Sequence, residues 1–215
     1  MAKLREIIDI LSSNHQHGEW WTNYTPFETL VSIILSQRTS SINVKSAMER
    51  FSRRFNGSQD VARTSIREIE EIIRPAGLHR MKSPRIRTIA EELARNYDNS
   101  LDGIIRLPYA EAKAKLTSIK GIGPKTADVF LMSVRGENVL PVDVHIFRIM
   151  RRLGIAHKGD DYESLRAKIE SEVSPQQRKP AHLILIEFGR QICRARNPRC
   201  GECPIGEYCT ALQKS

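Results

Sequence analysis

Apolar residues in this chain recur every three to four positions, and stretches that alternate strictly between apolar and polar residues hardly occur. Residues 4–11 and 66–73 both place leucine or isoleucine along one helical face. Because such a face must pack against another element, the pattern predicts an all-α fold. At 215 residues the chain can form one large domain or two smaller ones with buried cores.

Proline and cap residues predict where several helices begin. The segment TPFE at 25–28 supplies a cap, a first-turn proline and a capping-box acid. Further helix starts are predicted near Ser41, at Ser83-Pro84 and at Ser174-Pro175. The stretch GENVLPVDV, around 136–144, is the predicted crossing between two packed lobes.

All four cysteines lie in one short segment near the C-terminus, with the spacing Cys-x6-Cys-x2-Cys-x5-Cys. Four thiolates this close in sequence can form the complete ligand set of a zinc ion or of a four-iron cluster. A single Cys-x2-Cys knuckle favours the cluster, since zinc ribbons use two. Two disulfides are the third interpretation, disfavoured because no secretory signal is recognised. The predicted ligands are Cys193, Cys200, Cys203 and Cys209.

The net charge of +9 and the pI of about 9.6 suggest a polyanionic partner, although a solvated basic surface gives the same balance. Arginine, whose planar fork suits phosphate oxygens, dominates the basic clusters. No apolar run reaches membrane-spanning length and no targeting segment is recognised, so we expect a cytosolic protein. The clusters are Arg190, Arg194, Arg196 and Arg199, and separately Arg148, Arg151 and Arg152.

Gly121 and Gly123 interrupt a helical pattern and predict two helices joined by a tight turn. Pro124 would take the first position of the second helix, where its missing N–H costs nothing. The N–H groups of such a turn, beside a helix N-terminus, can bind an anion such as one DNA phosphate. An ordinary helix connection that uses glycine only for the turn is the alternative.

Two charged residues near this hairpin are candidates for chemistry. Lys125 would lie in the first helical turn, where the dipole disfavours an ammonium and so favours an amine nucleophile. By itself the residue is better explained as a phosphate-contacting or solvated lysine, and Lys120 suits a phosphate contact still better. Asp143 precedes the helix HIFRIMRRL and is predicted to cap it. A carboxylate there could also assist proton transfer and stabilise a developing cation.

Four motifs together resemble the endonuclease III group of DNA glycosylases. ILSQRTS is similar to a helix end with a DNA-inserting glutamine, GIGPKTADVF to the helix-hairpin-helix, and VDVHIFR to the motif with the catalytic aspartate. The cysteine spacing resembles the family's [4Fe-4S] ligand pattern, which favours a cluster over zinc. The resemblance spans nearly the whole chain and implies a two-lobed helix-hairpin-helix DNA glycosylase fold. One lobe would be a six-helix barrel at 27–137, and the other would combine 1–26 with 138–215 and hold the cluster loop 188–209.

Position by position, the resemblance implies that Lys125 attacks the sugar C1′ and forms a Schiff base, and that Asp143 is the essential aspartate. Gln37 would fill the gap left by the flipped nucleotide, and Leu78 would push against the opposite strand. A lysine at 125 implies a bifunctional enzyme that also cleaves the strand by β-elimination. Further DNA contacts are expected at Lys120, Gly121, Gly123, Arg194, Arg196 and Arg199.

The expected function is a DNA glycosylase and AP lyase of base excision repair that acts on oxidised pyrimidines in duplex DNA. We expect a monomer in the cytoplasm of a prokaryote, associated with the nucleoid. Ser40, Ser41 and residues 118–125 depart from common family patterns and leave the lesion preference open. The alternatives are a mismatch uracil or thymine glycosylase on the same fold, and a non-catalytic DNA-binding iron–sulfur protein. The presence of both Lys125 and Asp143 argues against the second, because binding needs neither.

Overall fold

The computed structural model describes residues 2–13 and 24–213, and within these ranges the secondary structure is helical without a strand. The predicted all-α class is therefore confirmed. No helix among the described residues is long and apolar enough to cross a membrane. The α-helices are α1 (Ala2–Ser12), α2 (Pro26–Leu35), α3 (Ser41–Arg54), α4 (Ser58–Arg63), α5 (Ile66–Ile73), α6 (His79–Asn96), α7 (Asp102–Ile105), α8 (Tyr109–Ser118), α9 (Pro124–Arg135), α10 (Val144–Arg152), α11 (Tyr162–Glu172) and α12 (Pro175–Gln191). Short 3-10 helices occupy Arg74–Ala76, Cys200–Glu202 and Gly206–Tyr208.

Local sequence signals set most of the helix starts. At α2, Thr25 Oγ1 accepts from the Glu28 N–H at 3.3 Å and Glu28 Oε2 accepts from the Thr25 N–H at 2.9 Å, which completes the predicted capping box. The starts predicted at Ser41 and at Pro175 are also confirmed.

The predicted start at Ser83-Pro84 is wrong, because α6 begins at His79 and Pro84 lies inside it. The Leu78 carbonyl already accepts from the N–H groups of Met81 and Lys82, both at 3.0 Å, so the helix is formed before the proline is reached. Pro84 leaves the carbonyl four residues earlier without its helical donor. That carbonyl belongs to Arg80, an exposed residue, where water can replace the missing donor.

The described residues divide into two compact units, which we call the hairpin unit (24–137) and the cysteine unit (2–13 with 138–213). The chain passes from one to the other between Glu137 and Asn138, inside the GENVLPVDV stretch. Thr25 belongs with the hairpin unit because it caps α2. Residues 14–23, which precede the predicted domain boundary between 26 and 27, lie outside the described ranges.

The hairpin unit has its own apolar core, to which α2 through α9 contribute. In this unit α6 packs against α4 and α5, and α9 packs against α2 and α8. Full burial of side chains of this size contributes about 1.5–3 kcal/mol each. Among those with no exposed surface are Leu30, Ile69, Leu93, Leu116 and Phe130.

The cysteine unit has a second core in which the N-terminal α1 packs against α11 and α12. Leu4, Leu11, Ile149, Leu165 and Phe188 are buried in it. α10 approaches α12 closely at Gly189, where an added Cβ would lie 2.8 Å from the Cβ of His145. Glycine is therefore required at this contact, which places α10 beside the segment leading to the cysteines.

Candidate functional site

The predicted helical hairpin is formed by α8 and α9, joined by residues 119–123. Ile119 and Ile122 are buried and anchor the turn in the core. Gly121 has φ +104°, and an added Cβ would lie 3.2 Å from Arg85 Cγ, so the backbone here needs glycine. Gly123 has φ −91°, an ordinary extended value, and nothing lies within 4 Å of a Cβ added there. The turn therefore requires glycine only at position 121, whereas at position 123 the absence of a side chain leaves the backbone accessible.

A buried ionic cluster joins the two helices of the hairpin. The fully buried Asp128 of α9 accepts hydrogen bonds from Tyr109 Oη at 2.8 Å and from Lys113 Nζ at 2.9 Å, both on α8. If the partner of such a buried carboxylate is removed, the uncompensated charge costs several kcal/mol of unfolding free energy. This ionic cluster therefore fixes the orientation of α9, and no local sequence pattern predicts it.

Lys125 is the second residue of α9, directly after Pro124, and is half-buried. The first turn of α9 contains no acidic residue, and its N-cap, Gly123, offers no side chain. Lys125 therefore lies at the positive end of the helix dipole, the position that the sequence predicts for it. Lys120 is exposed on the other side of the turn.

Arg85 of α6 connects Gln37 to the hairpin. Its Nη1 donates to Gln37 Oε1 at 3.1 Å, its Nε to the carbonyl of Gly121 at 2.6 Å, and its Nη2 to Thr126 Oγ1 at 3.2 Å. Thr126 is the residue after Lys125. The structure therefore brings Gln37 and the hairpin together through a residue that sequence reasoning missed, since partners 36 to 48 positions away leave no local pattern.

Leu78 projects from a strained turn at the start of α6. It adopts the left-handed conformation at φ +50° and is 41% exposed, directly after Gly77 at φ +65°. A leucine in this region costs energy that the surrounding structure must offset. Met81, one turn further, is also exposed. An apolar side chain held outward in this way can press on another molecule.

Lys82 lies beneath this turn as a buried cation, only 4% exposed. Its Nζ donates to the carbonyl of Leu35 at 2.8 Å and to that of Ala76 at 2.9 Å. Burial lowers the pKa of this lysine to about 8, so the group is still mostly charged at pH 7. One ammonium therefore holds the segments that lead to Gln37 and to Leu78.

Asp143 caps α10, as predicted. Its Oδ1 accepts from the N–H groups of His145 at 2.8 Å and of Ile146 at 2.9 Å. These bonds fix the carboxylate at the N-terminus of α10. The residue belongs to the cysteine unit, whereas Lys125 belongs to the hairpin unit.

Two of the arginines expected to bind phosphate are instead anchors inside the cysteine unit. Arg148 donates to the carbonyls of Cys193 at 2.9 Å and Gly189 at 2.8 Å. Arg152 donates to Cys193 Sγ at 3.1 Å and to the carbonyl of Arg194 at 2.8 Å. The neighbouring Arg151 is exposed. The arginines of α10 therefore fix the start of the cysteine loop, residues 193–209.

The four cysteines can supply the ligand set of a cluster, and one of the alternatives is excluded. All four are free thiols, so the two disulfides are not formed. Burial raises the pKa of the Cys203 thiol, and the charges of the other three cysteines add to the increase. In the described ranges no three Cys, His, Asp or Glu side chains are grouped tightly enough to hold one metal ion. A [4Fe-4S] cluster takes four cysteine thiolates as ligands, and the four free thiols supply that number.

The arginines of the cysteine loop differ in availability. Arg196 is exposed. Arg199 is exposed but lies 3.5 Å from Glu202, an ion pair from the next turn of the loop. Arg194 donates to the carbonyl of Asn197 at 2.9 Å, while its buried Nε has no hydrogen-bond partner among the described residues. Arg196 is therefore the one of the three best placed to meet an anion.

Comparison with known proteins agrees with this architecture. Residues 31–175 match the family described as HhH-GPD superfamily base excision DNA repair protein, and residues 193–209 match the iron–sulfur binding domain of endonuclease III. The endonuclease III of Rickettsia prowazekii is 30% identical over 207 residues, covering 96% of this chain and 93% of the relative.

Two solved structures share the fold over nearly the whole chain. A non-covalent endonuclease III–DNA complex has a TM-score of 0.84 and 24% identity, and covers 99% of this chain and 96% of that one. A trapped endonuclease III–DNA covalent intermediate has a TM-score of 0.81 and 25% identity, and covers 99% and 95%. The two-lobed helix-hairpin-helix glycosylase fold is thereby confirmed.

Fold, hairpin and cysteine loop together define a helix-hairpin-helix enzyme of base excision DNA repair. Within that class the chain belongs to the endonuclease III family. It is a DNA glycosylase of the family whose members also have AP lyase activity, and the prediction of a [4Fe-4S] cluster is confirmed by the match at 193–209. The roles assigned to individual residues stay predictions.

Proposed function

We propose that the protein binds duplex DNA that contains damaged bases or abasic sites, excises oxidised or ring-saturated pyrimidines, and cleaves the strand at the abasic sugar. The observation that carries this proposal is the half-buried Lys125 in the first turn of α9, next to a turn held in place by buried residues. DNA occupies the related endonuclease III structures, and one of them is a covalent intermediate, which suits an amine nucleophile.

Extrusion of the damaged nucleotide comes first, because a base in the stack shields its C1′ atom. Unstacking and unpairing cost a few kcal/mol. The half-buried Gln37 would fill the gap, and the exposed Leu78 would press against the opposite strand. Lys120, the backbone of the turn at Gly121 and the open backbone at Gly123 would hold a phosphate at the N-terminus of α9.

Lys125 would then attack in its neutral form. A bond forms between Nζ and C1′, the glycosidic bond breaks, and the base leaves with its bonding electron pair and takes up a proton. The C1′–O4′ bond then breaks, O4′ takes up a proton, and the nitrogen lone pair forms the C1′=N bond of a protonated Schiff base that keeps one N–H. Removal of a proton from C2′ then expels the 3′ phosphate, which completes β-elimination. Asp143 would stabilise the cationic sugar and move protons.

Cys193, Cys200, Cys203 and Cys209 would hold the [4Fe-4S] cluster, whose bonds to four sulfurs fix the fold of the loop. The loop would present Arg196, Arg199 and Arg194 to DNA phosphates and would take no direct part in base removal. We further propose that 27–137 acts as the barrel lobe and 1–26 with 138–215 as the cluster lobe. The working site would be the cytoplasm, at the nucleoid.

An incision assay on duplexes that each carry one lesion tests the proposal. We expect cleavage at thymine glycol and at abasic sites, and borohydride trapping of a covalent adduct that Lys125→Gln abolishes. Trapping at the wild-type level in that variant would exclude Lys125 as the nucleophile. Strong excision from G·U or G·T with little from thymine glycol would assign a mismatch glycosylase instead, and binding without any excision would leave a DNA-binding protein.

A further inference from the structure

One face of α6 holds three functional segments of the hairpin unit at once. Lys82 and Arg85 are three positions apart, so their side chains are neighbours on the helix surface. Between them they bond to the end of α2, the turn before α6, and the hairpin between α8 and α9. These are the segments that carry Gln37, Leu78 and Lys125.

Lys82 acts on backbone. Its two acceptors, the carbonyls of Leu35 and Ala76, each stand two residues before the proposed insertion residues, Gln37 and Leu78. A charged donor strengthens both bonds relative to neutral ones. Because the lysine is buried, its removal leaves two buried carbonyls without this donor. The two turns are therefore tied to each other through one atom.

Arg85 acts on a side chain and on the hairpin. The guanidinium only donates, so Gln37 must present its Oε1 to Arg85 and turn its amide N–H groups away. The other two donors bind the Gly121 carbonyl and the Thr126 hydroxyl. The planar fork thereby fixes the amide of Gln37 relative to the residue that follows Lys125.

We propose that Lys82 and Arg85 are positioning residues that couple the opening of the DNA stack to the placement of the nucleophile. The inference rests on the proposed function, since it needs Gln37 and Leu78 to enter DNA and Lys125 to attack. Insertion of Gln37 and Leu78 into DNA then transmits force to α6, the same helix that orients the hairpin. Loss of either cation separates the two events.

A positioning role of Lys82 and Arg85 predicts a different pattern of excision than an ordinary stabilising role does. A merely structural residue, when removed, lowers excision of every substrate alike. A residue that supports stack opening matters most when the lesion is stacked and paired, because an unpaired base needs less energy to leave the helix. The informative quantity is therefore the ratio of excision rates for one lesion in two DNA contexts.

The experiment compares thymine glycol paired with adenine and thymine glycol inside a bubble of mismatches, under single turnover. Arg85→Met and Lys82→Met should each lose about tenfold more activity on the paired substrate than on the bubble, as expected for coupled neighbours. Arg85→Lys should resemble Arg85→Met, because one ammonium cannot replace a fork that bonds three groups. The matched control is Arg87→Met on the same helix, whose ion pair with Glu91 is partly exposed, and its ratio should equal that of the wild type.

A double-mutant cycle with Gln37→Ala tests whether Arg85 acts through Gln37. In the Gln37→Ala background, Arg85→Met should change the paired-to-bubble ratio by less than half of its effect in the wild type. Full additivity, or an equal loss on both substrates, overturns the inference. Thermal unfolding of each variant is measured in parallel, and a lowered midpoint with an unchanged ratio also counts against it.

Failure of the proposed function gives a different result. If the wild-type protein does not excise thymine glycol from either context, the lesion assignment is wrong. If the wild type excises from both and the Arg85→Met ratio is unchanged, only the coupling is wrong.

Discussion

The two units use cationic side chains in the same way, as donors to backbone carbonyls, but depend on them to different degrees. In the hairpin unit, Arg85 holds a turn whose residues Ile119 and Ile122 are already buried in a large core, and Lys82 bonds to the buried residues Leu35 and Ala76. In the cysteine unit, Arg148 and Arg152 hold a loop in which Ile205 is the one buried residue between 193 and 209.

The difference shows that the two candidate surfaces have different sources of order. Hydrophobic burial fixes the hairpin, and the cations adjust it. The cysteine loop buries little apolar surface, so hydrogen bonds from arginine and the cluster must supply its order.

Removal of the cluster should produce the largest effect and should be confined to one unit. Because the loop has almost no core of its own, a cluster-free protein or Cys203→Ser should lose hydrogen-exchange protection across 193–209. Protection across α2–α9 should change little. Exchange mass spectrometry checks this, and equal deprotection of both units would show that the cores are not independent.

Asp128→Ala should be the most destabilising single change in the hairpin unit. It leaves the Lys113 ammonium beside a buried, empty position, and breaking a buried pair costs about 3–5 kcal/mol of unfolding free energy. Denaturant unfolding measures the loss. Lys113→Met with Asp128→Leu is the control, and it should recover much of the stability because neither charge is left alone. If the double variant does not recover stability, the Asp128–Lys113 pair contributes more than charge neutralisation.

The two glycines of the hairpin turn should differ. Gly121→Ala forces a side chain into φ +104° against Arg85 and Ile89, and should cost about 1–3 kcal/mol of unfolding free energy. Gly123→Ala meets open space at an extended φ and should stay within about 0.5 kcal/mol. It is nevertheless expected to weaken DNA binding if a phosphate approaches there, which a binding titration measures. Equal destabilisation by both would contradict the turn geometry.

A further expected effect is a pH dependence of stability from Lys82. Burial lowers its folded pKa to about 8, below the unfolded value of about 10.4, while its carbonyl partners do not titrate. Between these values unfolding takes up a proton, so this contribution to stability rises with pH. Below pH 8 both states are protonated and the contribution is constant at its least favourable. The stability of the wild type relative to Lys82→Met should therefore increase from pH 8 to about 10.4, and a decrease would reverse the assigned sign.

The sequence determined the parts that depend on neighbours along the chain. The capping box at Thr25, the cap by Asp143, the place of Lys125 behind Pro124 and the cysteine spacing could all be predicted, because each rests on contacts within a few residues. The predicted start of α6 at Ser83-Pro84 was wrong because the preceding Gly77-Leu78 turn has left-handed geometry. A leucine in the sequence gives no indication of that conformation.

Tertiary structure alone decided which distant groups meet. Arg85 reaches residues 36 to 48 positions away, Lys82 joins the ends of two different segments, and Asp128 finds Lys113 across the hairpin. Arg148 and Arg152 look in the sequence like phosphate ligands, yet the packing of α10 on α12 turns them toward the loop. The physical reason is that the sequence around a long cationic side chain does not indicate its acceptor. The acceptor depends on which helices pack around that side chain.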